Sequence, residues 1–428
     1  MNNIDFESSE YQRSRRAYVL QCMLQYFVAL LIADAFLAKL LTSLNFKDST
    51  IGLISSIISL AFVIQLLSVV MIKSRKNAKM LVIIFSTLSN VFFGLAFFVP
   101  LLSFEAQIKR ILAVIFIVSG YCFLYFVVSI AYKWANSFVQ PGKRGLFSAK
   151  KEILSLISGI IFTTVVGYVL DRFDEASNLK GGFFFVSITI LLIAVGDFVC
   201  ISMIKRDSPE LSNDELKRLG HSIKYLLRNK RYRSALLLTI LFKSATYFTT
   251  GYIGVYKVNT LLISVFAVQL INIVSSGFRM VVSIPFGKYS DRHSYVKGFE
   301  LALIIAMIAY AFCAFTTPKT WYFIIIYTAL IGVSAAGTES NSYNIMYNFV
   351  DIDYFEDALA INNCVGGLCG FISALVAQKI IALIQENGNK FLGMNLYGQQ
   401  VLAAISFLIM LVAILFVHFV ISKKRSVE

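Results

Sequence analysis

Apolar residues fill twelve stretches of the chain, at about 17–42, 50–72, 80–102, 111–132, 152–171, 182–204, 235–256, 261–285, 298–316, 320–343, 358–384 and 399–421, and polar residues collect between them. Each stretch is near the ~20 residues a helix needs to cross the ~30 Å hydrocarbon core of a bilayer. A helix closes its backbone hydrogen bonds within one segment, as lipid demands, so the pattern predicts an all-α membrane protein with twelve transmembrane helices. The longest polar interval separates six spans from six: an N-terminal bundle over 1–204, a linker over 205–234 and a C-terminal bundle over 235–428. In the linker Ser212 and Glu215 have capping-box spacing. Leu216, Leu219, Ile223 and Leu227 then share one face, with Lys217, Arg218, Lys224 and Arg228 mostly away from it. This predicts an amphipathic helix on the inner membrane surface, with a solvated, partly helical linker as the alternative.

Polar residues inside the spans also fall in phase. At 100° per residue Lys243, Tyr247, Thr250, Gly254 and Lys257 share a face of span 7. Tyr121, Tyr125 and Tyr132 do so in span 4, Gln21, Gln25 and Lys39 in span 1, Asn272, Ser276, Arg279 and Ser283 in span 8, and Thr320, Tyr327, Ser334, Thr338 and Asn341 in span 10. Unpaired polar groups are costly in hydrocarbon, so such stripes line water or bond neighbouring helices. Lys243 lies about eight residues inside its span and needs a counter-charge, an anionic solute or water, unless it snorkels inward. Asp34, on the opposite side of span 1 from Gln25, is either an acid that loads and releases a proton or an ion-pair member near Lys39 and the outer rim. Arg279 and Glu339 stand at similar depth, which allows a pair. Asp197 and Glu300, near inner span ends, are expected at the interface. Gly366, Gly367 and Gly370 predict close helix approach.

Hydrophobic residues make up 58% of the 428 and charged residues 15%, which leaves no room for a large soluble domain. Of the basic residues in the connections and termini, 27 fall on one side and eight on the other, which predicts cytoplasmic termini in a plasma-membrane protein. The 10–11 connection, with Asp351, Asp353, Glu356 and Asp357, is acidic and dissents; acidic residues contribute little to orientation. The net charge of +15 is read as inner loops meeting anionic lipid head groups, not nucleic acid. The first apolar run is too long for a signal peptide. The six cysteines all lie in spans without C-x-x-C spacing and read as packing residues, so no disulfide, metal or cofactor is expected. The three histidines are scattered, no H-x-x-x-x-D box or outer acidic motif marks a membrane transferase, and no P-loop suggests ATP drive.

The halves echo each other: Ser137-Phe138-Val139, Ala149 and Gly159 recur 211 positions later as Asn348-Phe349-Val350, Ala360 and Gly370, and Phe62 to Leu66 resembles Phe266 to Leu270. Both fit a parallel six-plus-six duplication. After span 8, Gly287-Lys288-Tyr289-Ser290-Asp291-Arg292, preceded by Pro285, resembles the G-x-x-x-D-R loop of the major facilitator superfamily. Pro141 followed by Arg144-Gly145 resembles its P-x-x-R-G. The 2–3 loop departs from the pattern, lacking the Gly and the Asp. The resemblance implies the major facilitator fold, two pseudo-symmetric six-helix bundles with spans 1, 4, 7 and 10 around a central cavity, and a cytoplasmic gating loop at Gly287, Asp291 and Arg292. The expected function is secondary active transport of a small organic solute by alternating access, in a monomer, with a proton as one candidate coupling ion. The substrate cavity is expected at Gln21, Gln25, Tyr121, Tyr125, Lys243, Tyr247, Asn272 and Tyr327, a lining that suits a modest-sized amphipathic or anionic solute. A lipid flippase or sensor on the same fold stays open as an alternative, and a polytopic transferase is the more distant one.

Overall fold

The computed structural model describes residues 8–61, 63–64, 78–139, 144–204, 215–351, 354–391 and 394–422. Its α-helices are α1 (Ser9–Leu31), α2 (Asp34–Ser43), α3 (Asp48–Ser55), α4 (Ala78–Phe98), α5 (Ala106–Ser137), α6 (Arg144–Glu175), α7 (Leu179–Met203), α8 (Glu215–Arg228), α9 (Lys230–Val255), α10 (Val265–His293), α11 (Tyr295–Ala314), α12 (Phe323–Phe349), α13 (Phe355–Glu386) and α14 (Gly398–Phe416). A two-stranded antiparallel ribbon, β1 (Lys390–Phe391) with β2 (Met394–Asn395), joins α13 to α14. Contacts divide the chain into an N-terminal unit, Met1–Phe46 with Val63–Glu215, and a C-terminal unit, Lys47–Phe62 with Leu216–Glu428.

Among the described residues nine helices are long and apolar enough to cross a membrane, and α1 with α2, bent by 47°, make a tenth. The position of the seventh span is held by α9, whose apolar character Lys243, Thr246, Tyr247, Thr249 and Thr250 dilute. The second span opens with α3, part of the short apolar helix Asp48–Ala61. Most of its C-terminal half, most of the 2–3 loop, Pro141, Ser212 and the C-terminal lysines lie outside the described residues.

The first span is not one continuous helix. Ala33 is extended and Asp34 takes a left-handed backbone (φ 45°), so two residues interrupt the hydrogen-bond ladder between α1 and α2. Span 7 ends in a π-helical turn, Tyr256–Thr260. The segment Gly287 to Arg292, expected as a loop, is helical: it forms the last turns of α10, and Ser294 alone separates that helix from α11. Ser294 caps α11 by accepting a hydrogen bond from the Lys297 amide at 3.1 Å.

In the N-terminal unit Ala17, Tyr18, Val82, Val127, Phe138, Val139, Ile201 and Ile204 form one apolar cluster. In the C-terminal unit the largest core groups are tyrosines, whose hydroxyls need partners once buried. Tyr252 donates to the Ala374 carbonyl (2.7 Å), Tyr256 to Thr316 (2.6 Å) and Tyr232 to Ala358 (3.2 Å). The repeat read from sequence has a counterpart within each unit. Gly159 lies under the Tyr26 ring and Gly370 under the Tyr247 ring, so that a Cβ at either would collide with the tyrosine. The Phe138 carbonyl accepts from Arg15 Nη1 (3.3 Å), and the Phe349 carbonyl from Asn229 Nδ2 (3.1 Å).

The linker helix α8 packs on the C-terminal unit. Leu226 is fully buried beside Tyr232, Met346 and Ala358, while Ile223 and Leu227, on the face expected to meet the membrane, are exposed. Ser222 donates to Asp357 Oδ2 and Tyr225 to Asp351 Oδ2, each at 2.5 Å, and the Tyr225 ring stacks on Tyr354 with centroids 4.4 Å apart. Asp351 and Asp357 of the acidic 10–11 connection are therefore docking points for the linker helix.

Candidate functional site

In the C-terminal unit the polar stripe of α9 is positioned by glycines of α13. Gly366 lets the Lys243 stem pass closely: a Cβ there would stand 3.0 Å from Thr239 Cγ2 and 3.1 Å from Lys243 Cγ. Gly370 does the same for the Tyr247 ring one turn along. The close approach expected of Gly366 and Gly370 is thus made between α13 and α9. Lys243 is half-buried, with its Nζ 5.9 Å from the centroid of the Phe242 ring. It has no hydrogen bond or ion pair among the described residues; Glu339 is the opposite charge that acts on it. Glu339 itself is engaged by Arg279, in the ion pair that their depth allowed. A second lysine, Lys257, is buried and donates to Asn272 Oδ1 at 3.5 Å. Tyr327 is 6% exposed and lies against Tyr310, ring centroids 6.0 Å apart.

At the far end of the same unit Asp48, the first residue of α3, accepts hydrogen bonds from Asn259 Nδ2 (2.7 Å) and Gln385 Nε2 (3.2 Å). Gly52 and Gly251 let α3 and α9 come together, with Tyr252 packed over Gly52. Sequence reasoning did not single out Asp48, because a carboxylate opening a helix is commonplace. Its partners come from distant parts of the chain. Gly287, Asp291 and Arg292 lie at the end of α10, where Asp291 and Arg292 are exposed and a Cβ on Gly287 would meet nothing within 4 Å.

In the N-terminal unit Gln25 donates to Ser86 Oγ (2.8 Å) and to Asp197 Oδ2 (3.0 Å), and Gln21 also faces that carboxylate. Asp197, expected at the interface, is instead fully buried. The reason is that the face of α7 bearing Asp197 packs against α1 and α4, whose polar side chains surround the carboxylate. Ser86 and Asn90 of α4 complete its surroundings. Glu300, the other acid expected at the interface, pairs with His418 at 3.0 Å. Tyr121 is 3% exposed, donates to the Ile32 carbonyl at 3.2 Å and packs edge-on against Phe93; Tyr125 is half-buried. Asp34 is half-buried at the break between α1 and α2. Lys39 is paired with Asp174 at 2.5 Å. A cleft of about 580 Å³ is lined by Ser43, Asn45, Phe104, Lys109, Lys180 and Phe183 among others. Among the described residues no group of three or more His, Cys, Asp or Glu is arranged to hold a metal.

The arrangement therefore offers solute-binding chemistry: a half-buried cation with no hydrogen bond or ion pair among the described residues, a phenol one turn along the same helix, and amides and carboxylates held within each unit. No curated protein matches the sequence. Several solved transporters share the fold. A point mutant of the nucleoside transporter NupG superposes with a TM-score of 0.70 at 15% identity, over 95% of this chain and 99% of that one. A D-xylose-proton symporter gives 0.68 at 12% identity, over 95% and 97%. A bacterial homologue of the human lysosomal transporter Spinster, inward-facing and unoccupied, gives 0.66 at 13% identity, over 96% and 97%. A family model described as Major Facilitator Superfamily matches residues 17–374. The chain belongs to the major facilitator superfamily: it is a multi-pass membrane transporter that moves small-molecule solutes by alternating access, and not an enzyme.

Proposed function

We propose that the solute carried is a modest-sized organic molecule bearing an anionic group, and that Lys243 is its anchor. The observation that carries this reading is a half-buried ammonium, inside a span, with no ion pair among the described residues. Such a charge needs an anion or water, and a carboxylate or phosphate on the solute would supply the missing partner. Tyr247, one turn along α9, offers a ring face and a hydroxyl to the rest of the molecule. Gln21, Gln25, Tyr121, Tyr125, Asn272 and Tyr327 belong to the same expected lining, and the hydrogen bonds that Gln25 and Tyr121 make within their unit give them a supporting place in it. Proton coupling is part of the reading, with Asp34 as one exchange candidate. Cytoplasmic termini, the plasma membrane and a monomeric state complete it.

Thermal-shift screening of the purified protein against carboxylate- and phosphate-bearing solutes tests the proposal. A charge-assisted hydrogen bond contributes about 1.5–3 kcal/mol. Lys243→Ala should therefore weaken a stabilising solute by roughly 10- to 100-fold in Kd while the protein remains folded. An unchanged ligand response in Lys243→Ala would remove this residue from the site.

A further inference from the structure

The buried carboxylate of Asp197 lies where α1, α4 and α7 of the N-terminal unit pack together. Its two oxygens have different surroundings. Oδ2 accepts from Gln25 Nε2 (3.0 Å), Ser86 Oγ (2.6 Å) and Asn90 Nδ2 (3.4 Å). Gln21 also faces the carboxylate, but Oδ1, equally buried, has no hydrogen-bond partner among the described residues, and the same holds for Asn90 Oδ1. Of the arginines of α1, Arg15 donates to the Phe138 carbonyl and Arg13 and Arg16 are exposed. Lys79, at the inner end of α4, donates to the carbonyls of Ser202 and Ile204, and Lys151 of α6 lies over the Tyr18 ring at 5.7 Å. The titratable groups that face Asp197 are thiols, Cys22 on α1 and Cys200 on α7.

An ionised carboxylate here would be an interior charge without a counter-ion, with one oxygen bare. The neutral acid removes both defects. A proton on Oδ1 makes that atom a donor, and Asn90 Oδ1, on a side chain already in contact with Asp197, is a buried acceptor that lacks one. A metal ion fits less well, since two unclaimed oxygens fall far short of the six or more that a hard cation takes. The donors on Oδ2 stay in place whether or not Oδ1 carries the proton, so it can be gained and lost without rebuilding the cluster.

We propose that Asp197 holds a proton on Oδ1 in this conformation, and that Gln25, Ser86, Asn90 and Asp197 form a proton-binding site of the N-terminal unit. Its use in coupling rests on the transport reading above; the occupancy of the site by a proton does not.

Infrared spectroscopy of the purified full-length protein across a pH series, without any solute, tests this. Wild type should show the C=O stretch of a protonated, buried carboxyl that titrates, and Asp197→Asn should lose it. Ser86→Ala removes a donor that favours the ionised form, so the same band should persist to higher pH. It carries the test should Asp197→Asn fail to fold. A band spectrum unchanged by Asp197→Asn, or a titration unmoved by Ser86→Ala, would overturn the proposal. So would a band that sodium chloride abolishes and choline chloride leaves intact, which would mark a cation site. Because no solute is present, this result and the Lys243 result fail independently.

Discussion

Glycines decide where the polar side chains of α9 can stand. At Gly251 an added Cβ would lie 2.6 Å from the Gly52 carbonyl oxygen, backbone that cannot rotate away. Gly251→Ala should force α3 from α9 and cost about 1–3 kcal/mol, the usual range for overpacking, measured by unfolding in detergent. Gly277→Ala is the matched control: a methyl there meets nothing within 4 Å, and alanine improves helix propensity by up to ~1 kcal/mol. Some residues were legible at this scale from sequence alone. Lys243 is a charge inside an apolar span, and the depth match of Arg279 with Glu339 is met by their ion pair. Asp197 was misplaced because its burial depends on Ser86 and Asn90, more than 100 residues earlier in the chain.

Elements depart from the hydropathy pattern where backbone geometry or a neighbouring element intervenes. Span 1 breaks at Asp34, and the motif after span 8 stays helical; neither feature alters the apolar count. The linker helix was expected from its capping spacing and its apolar periodicity; Ser212 lies outside the described residues, and within them α8 is helical over Glu215–Arg228. Its partner was not foreseen. The acidic 10–11 connection accepts its hydroxyl groups, and the Asp351 carboxylate beside Tyr225 holds that phenol above its ordinary range. A raised value in the folded state means that the contact contributes fully below pH ~10, the ordinary phenol value, and is lost as pH rises through the folded one. Hydrogen exchange along α8 should therefore accelerate at strongly alkaline pH, and Tyr225→Phe should show the faster exchange already at neutral pH. Equal protection in both proteins at neutral pH would mean that Leu226 and the stacking on Tyr354 alone hold the helix.

At the scale of the whole molecule the charge asymmetry of the loops makes a prediction independent of any side-chain contact. Single cysteines placed at Ser103 and at Lys319 should react with an impermeant thiol reagent from outside intact cells, whereas one at Ser294 should react only after permeabilisation. The opposite pattern would invert the orientation. The sequence by itself determined the number and length of the apolar stretches and the family, because these depend on composition and spacing along one segment at a time. Only the tertiary structure decided that residues 47–62 pack with the C-terminal unit, that α8 lies on the acidic connection, and that Asp197 is enclosed by α1 and α4. Each of these joins groups far apart in the chain, and hydrophobic periodicity carries no information about which polar face meets which partner.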